Sequence, residues 1–201
     1  MAGTTPKAFR IAVLTSGLSR GSNLQAIHRY FREHQLPVEI SFVVITRKSA
    51  PVADYCHLEG LPVEFISSLD PAAFETRLGK LVQVYKPNLL VLAGFMKKLT
   101  AGCLRAMSVP ALNIHPALLP KHGGQGFYGQ RVHEAVLASG DTVSGVSIHR
   151  VDAEYDHGDI VAQAEVDISD CRSAAEIGRK VLELEHSFYA PTIYQFLISG
   201  Q

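Results

Sequence analysis

A largely apolar run from Phe9 to Thr15 stops at Ser16-Gly17, and Leu24, Ile27 and Phe31 then recur at helical spacing. This predicts strand, turn, helix. A second apolar run, Ile40 to Thr46, is followed by a predicted helix over Ala53–Glu59, a short strand over Pro62–Ile66 and helical spacing from Ala72 to Tyr85. Leu89 to Phe95 is apolar without alternation, as a strand buried on both faces requires, and Ala111 to His115 reads as another. Strands alternating with helices imply a mostly parallel sheet.

Beyond a glycine-rich stretch, Gly123–Gly129, and a predicted helix over Gln130–Ala138, the pattern changes. Val146 and Ile148 point one way while Ser147 and His149 point the other, and Ile160 to Ile168 alternates in the same manner. Both segments read as half-buried strands. Ser173 and Glu176 form a capping-box pattern ahead of Ile177, Val181, Leu184 and Phe188, so a long closing helix follows, with a bend expected at Pro191. The expected fold is α/β, a single-domain Rossmann-like, mostly parallel twisted sheet with helices on both faces and a long C-terminal helix.

Composition narrows the function. At 201 residues, 47% of them hydrophobic and 19% charged, the chain can bury one substantial core. Nineteen Lys plus Arg balance nineteen Asp plus Glu, which disfavours a nucleic-acid partner. The longest apolar run, Leu89 to Met96, is far short of the roughly 20 residues that cross a bilayer, and no secretion signal is recognisable. A cytoplasmic location is expected. Cys56, Cys103 and Cys171 are far apart, odd in number and without C-x-x-C pairing, so they are expected as reduced thiols.

Four places could carry chemistry. Gly17-Leu-Ser-Arg-Gly21-Ser22-Asn23 feeds a helix N-terminus, where free backbone N–H groups and the helix dipole suit a phosphate; a plain turn with Ser or Asn capping the helix fits the pattern equally. Asn113 and His115, two apart on a strand that Pro116 ends, present an amide and an imidazole on one face at the carboxyl edge of the sheet. A structural histidine is the competing reading. The acidic loop Asp152 to Asp159 contains Asp156 and His157, followed by Gly158, which lets the backbone approach a ligand closely. No H-x-x-x-H or H-E-x-x-H spacing accompanies His115, His149, Asp156 and His157, so no metal is expected. Glu185 lies on or beside the apolar face of the closing helix, where a charge needs a partner.

Taken together, Ser16-Gly17, Gly21-Ser22-Asn23-Leu24-Gln25-Ala26-Ile27, Leu92-Ala93-Gly94-Phe95-Met96, Asn113-Ile114-His115-Pro116-Ala117-Leu118-Leu119-Pro120-Lys121, Ser147-x-His149 and Asp156-x-Gly158 resemble the folate-dependent formyltransferases in order and spacing. The resemblance covers nearly the whole chain, residues 1–201 forming one domain, and points to the members that act on glycinamide ribonucleotide in purine biosynthesis. It implies a ribonucleotide-binding N-terminal half and a folate-binding, catalytic C-terminal half. By resemblance Asn113, His115 and Asp156 are catalytic; Gly21, Ser22 and Asn23 hold the substrate phosphate; Glu185 contacts the substrate. Met96, Lys97, Lys98 and Leu99, with Val151, Asp152 and the loop to Asp156, would receive 10-formyltetrahydrofolate, the co-substrate, with no metal. The implied partners are glycinamide ribonucleotide and folate, with no nucleic acid or membrane, for a monomer or homodimer.

Two segments depart from the family pattern. Leu18-Ser19-Arg20 makes the phosphate loop two residues longer than its commonest form, and Arg20 offers an added phosphate contact. Gly123–Gly129 also differs, and its glycines suggest a mobile lid or an ordinary turn. The rival readings are a formyltetrahydrofolate hydrolase, a sugar-nucleotide formyltransferase and a non-catalytic binding module on the same scaffold.

Overall fold

In a computed structural model, which describes residues 8–200, the first strand, β1 (Phe9–Thr15), is buried along five consecutive residues from Ile11. Its side chains part by period two, Ile11 and Val13 to one core, Ala12 and Leu14 to the other, because the chain continues on both faces of the sheet. Helix α1 (Ser22–Glu33) buries Leu24, Ile27 and Phe31 against the first core. Then come β2 (Val38–Ile45), α2 (Val52–Leu58), β3 (Val63–Phe65), α3 (Pro71–Tyr85), β4 (Leu89–Leu92), α4 (Ala101–Met107) and β5 (Ala111–His115). These are followed by α5 (Gln130–Ala138), β6 (Val143–Arg150), β7 (Ile160–Asp167) and α6 (Ala174–Ser199).

Among the described residues seven strands form one sheet in the order β3-β2-β1-β4-β5-β6-β7. Pairing is parallel from β3 to β5, and antiparallel where β6 meets β5 and β7. Helices α1, α2, α5 and α6 cover one face, and α3 and α4 the other. The chain leaves β1 toward β2 and returns to β4 on the opposite side, so the carboxyl ends of β1 and β4 flank the switch point at which such sheets bind ligands.

Caps explain several boundaries. Asp70 accepts from Ala72 and Ala73 N–H ahead of Pro71, and Thr100 from Cys103 N–H. The capping box at Ser173 and Glu176 forms as expected. The long helix it opens continues through Pro191 to Ser199.

Two local expectations are corrected, and one further helix is found. The strand expected over Leu89–Phe95 stops at Leu92, because Gly94 turns to φ 69° and its carbonyl accepts from Ser16 N–H instead of extending a ladder. β6 is buried on both faces, not half-buried: Ser147 and His149 lie as deep as Val146 and Ile148, covered by the loop after β5 and the acidic loop. Ala101–Met107 is a helix that periodicity does not announce, since its seven residues bury only Cys103 and Met107. The three cysteines are free and buried.

Candidate active site

β5 ends at His115, and the sheet register decides what stands beside it. Antiparallel pairing sets Asn113 directly opposite His149 and His115 opposite Ser147. The Asn113 amide Nδ2 therefore lies 3.0 Å from His149 Nε2. On its other side His149 Nδ1 donates to the Arg150 carbonyl at 2.9 Å. That bond places the proton on Nδ1, so in the neutral ring Nε2 accepts from Asn113, leaving the second amide N–H of Asn113 free.

The acidic loop brings Asp156 to the same point. It adopts a left-handed backbone, φ 53°, which aspartate tolerates, and its side chain is only 11% exposed. Oδ2 stands 3.4 Å from His115 Nδ1 and accepts from Gly124 N–H at 3.1 Å, while Oδ1 stands 3.5 Å from His149 Nε2. Burial pushes the carboxyl pKa up, but His115 and the Gly124 N–H outweigh it and hold the group well below the usual carboxylate range. Asp156 is an anion that orients donors rather than a base.

The other nitrogen of His115 is also committed. Nε2 donates to the His122 carbonyl at 2.9 Å, so a second ring proton has only Nδ1 to occupy, facing Asp156. The segment between them is tied down: Ser147 Oγ donates to Ala117 O and accepts from Leu119 N–H, and Gln163 Nε2 reaches both Leu119 O and Ser147 Oγ. Gly158 serves a different purpose from the one its position suggests. A Cβ there would lie 2.0 Å from the Arg150 carbonyl, so the glycine lets the loop close onto β6 rather than onto a ligand.

Some 160 residues apart in sequence, Asn23 and Glu185 meet across the first core. Glu185 is 8% exposed, and Asn23 Nδ2 donates to its Oε2 at 2.8 Å. Burial pushes the Glu185 carboxyl up to about 7, opposed by that hydrogen bond and by the charge of His115. The Asn23 Oδ1 is buried without a partner. Gly21 is the left-handed residue at the head of α1, φ 69°, packed so tightly that a Cβ would meet Val52 at 2.3 Å, and no side chain caps the helix. The capping alternative therefore falls.

One cleft of about 730 Å³ joins these groups. Asn113, His115, Asp156, His149, Glu185 and Asn23 all line it. So do Met96, Lys97, Lys98, Leu99, Val151 and Asp152, and Lys98 Nζ sits 5.6 Å over the Tyr155 ring at its mouth. Gly21 and Ser22 do not line it; Ser22 borders a separate pocket of about 270 Å³, and Arg20 is exposed. The Gly124–Gly129 segment lines the cleft, with Arg131 held 5.0 Å over the Tyr128 ring. Among the described residues no group of three or more His, Cys, Asp or Glu could hold a metal, and no helix is long and apolar enough to cross a membrane. What single-residue patterns leave out is the pairing of Asn113 with His149, which only the β5–β6 register determines.

The formyl transferase family model matches residues 9–193. A phosphoribosylglycinamide formyltransferase described as chloroplastic from Vigna unguiculata is 34% identical over 96% of this chain, and one from Arabidopsis thaliana is 35% identical over 94%. The chain spans 62% and 65% of the lengths of those two relatives. The crystal structure of glycinamide ribonucleotide transformylase 1 from Symbiobacterium toebii superposes with a TM-score of 0.86 at 29% identity, covering 99% of this chain and 94% of that one.

Proposed function

The chain belongs to the formyl transferase family, and from that premise we propose that it transfers the formyl group of 10-formyltetrahydrofolate to the amine of glycinamide ribonucleotide. The names of its relatives support glycinamide ribonucleotide as the acceptor and formyl as the group transferred. The observation that carries the reading is the convergence of Asn113, His115 and Asp156, from β5 and the acidic loop, on one point of a cleft that also holds Asn23 and Glu185.

On this reading the amine attacks the formyl carbon, and negative charge develops on the formyl oxygen. The free N–H of Asn113 and the Nδ1–H of protonated His115 are the donors for that oxygen. At 3.4 Å the Nδ1 contact to Asp156 is long for a hydrogen bond, so the proton can be shared with an oxygen lodged beside the carboxylate. The amine's proton leaves through water ordered by the Asp156 anion and reaches the departing folate nitrogen as the carbon–nitrogen bond breaks. The pterin would lie against Met96–Leu99 and Val151–Asp152, with Lys97 and Lys98 toward the folate glutamate. The ribonucleotide would lie toward Glu185, Asn23 and the Gly21–Ser22 turn. One domain then serves both substrates, with Glu185 of the C-terminal helix joining the ribonucleotide end, in a cytoplasmic protein.

The test is loss of 10-formyltetrahydrofolate followed by absorbance, with glycinamide ribonucleotide present and then omitted. Turnover that depends on the ribonucleotide is the expected result. Turnover without it would establish a hydrolase, and silence in both would overturn the reading.

A further inference from the structure

Asp141, three residues beyond the end of α5 at Ala138, gathers polar groups that the reaction as described does not use. Its carboxylate accepts from Lys121 Nζ at 2.5 and 2.7 Å, from His122 Nε2 at 2.9 Å and from Ser139 Oγ at 2.7 Å. The hydrogen bonds from Lys121, His122 and Ser139 hold this carboxyl well below the usual range. Lys121 is mostly exposed, and a surface ion pair of that kind contributes little. The His122 contact is different, because that side chain is largely buried and its residue is conformationally unusual. His122 has φ 58°, a left-handed backbone that a residue with a Cβ holds only when its surroundings fix it.

The two ends of His122 face opposite ways. Its ring is anchored on Asp141, and its carbonyl accepts from His115 Nε2 at 2.9 Å. The bonds from Ser147 and Gln163 hold Ala117 and Leu119, upstream of this residue, and the Asp141 contact is the side-chain anchor seen for residue 122. We propose that Asp141 and His122 are positioning residues: Asp141 holds the His122 ring, the held ring keeps the backbone left-handed, and the carbonyl so aimed fixes the proton of His115 on Nε2 and presents Nδ1 to Asp156 and the substrate. This rests on the reading of His115 as the catalytic imidazole. When the anchor is lost, residue 122 relaxes toward negative φ, its carbonyl swings away, and the His115 ring loses the bond that distinguishes its two nitrogens.

The test compares Asp141→Ala, His122→Gly and Lys121→Ala with the unaltered protein, by formyl-transfer kinetics and by the imidazole nitrogen NMR signals of His115. Glycine adopts the left-handed conformation freely, so His122→Gly removes the ring without imposing backbone strain and guards against misfolding of Asp141→Ala. Expected is a fall in kcat of roughly 10- to 100-fold in both, with KM for either substrate changed less than about twofold, as for a misplaced catalytic group. The double variant should be no worse than the poorer single one, since the two act as a unit. In its neutral form the His115 ring should carry its proton on Nε2 in the unaltered protein and in Lys121→Ala, and become a mixture of tautomers in the other two. Unchanged His115 signals in both variants, or an equal loss in Lys121→Ala, overturn the proposal. Should the unaltered protein transfer no formyl group while the His115 signals still respond, the assigned reaction fails and the brace stands.

Discussion

The two ends of the cleft each hold a buried carboxylate, and their pKa values are driven in opposite directions. Asp156 faces two imidazoles and a backbone N–H, and is held ionised. Glu185 has a single neutral donor, Asn23, with the His115 charge acting from a distance, and is pushed up to about 7. Burial acts in the same direction on both, so the number and charge of the donors decide the outcome. The end with a fixed anion suits holding an imidazolium in place as a donor to developing negative charge. The end whose carboxyl titrates near neutrality suits a neutral or singly ionised partner for substrate hydroxyls or the amine.

The largest effect that would break this contrast is expected from Asp156→Asn. It keeps the shape and removes the anion beside Nδ1, and kcat should fall by roughly 10³-fold with folate binding retained, as loss of the anion that holds the donor imidazole requires. Near-normal turnover in steady-state kinetics would sink the assignment of this end as catalytic. Next is Asn113→Ala, which removes the free amide donor. A loss of about 2–4 kcal/mol in transition-state stabilisation, read from kcat/KM, is expected for an oxyanion donor, and a change in KM alone would speak for ground-state binding.

Why one end was easier to read than the other follows from the range of the contacts. β1, β5 and α5 begin and end where periodicity puts them, because each is bounded by a glycine, a proline or a run of core residues. Asn113 and His115 share a strand, so alternation alone puts them on one face. The link to Asp156 needs the β5–β6 register and the left-handed turn at residue 156, neither of which is a local signal. The pairing of Asn23 with Glu185 joins the first helix to the last, and the sequence carries only the demand that a carboxylate on an apolar face find a partner. The His122 and Asp141 contact is less legible still, since it depends on a backbone conformation unusual for histidine. β4 ends before its apolar pattern does, because Ala93 and Phe95 continue that pattern past the turn that Gly94 makes.

Glu185→Gln sharpens the contrast through stability. The folded protein holds the Glu185 proton to about pH 7, whereas an unfolded chain releases it near its ordinary value of 4.5. Between those values the native state binds the extra proton, so this group's contribution is full below pH 4.5 and is lost as pH rises through 7. The difference corresponds to on the order of 3 kcal/mol. Chemical denaturation at pH 5 and pH 8 should show Glu185→Gln gaining on the unaltered protein at the higher pH, and equal differences at both would show that Glu185 is already ionised. Asp156 works in the opposite sense, its contribution being present above the ordinary aspartate range and lost as pH falls below it.

The smallest effect concerns Asn23→Ala, which takes from Glu185 its one hydrogen-bond donor. If donor number sets the protonation state, the Glu185 carboxyl should climb further, by roughly one unit, the scale of one hydrogen bond to a charged group. Carbon NMR of the side-chain carboxyl across pH 5 to 9 would follow it. The Asp156 carboxyl should not move, because its donors come from β5 and the Gly124 turn rather than from α1. A joint shift of both would mean that the two ends share one electrostatic environment through His115, whose charge already acts on each of them. A Glu185 carboxyl that stays at its original value would show that desolvation alone governs this end, and the contrast would then rest on burial rather than on donors.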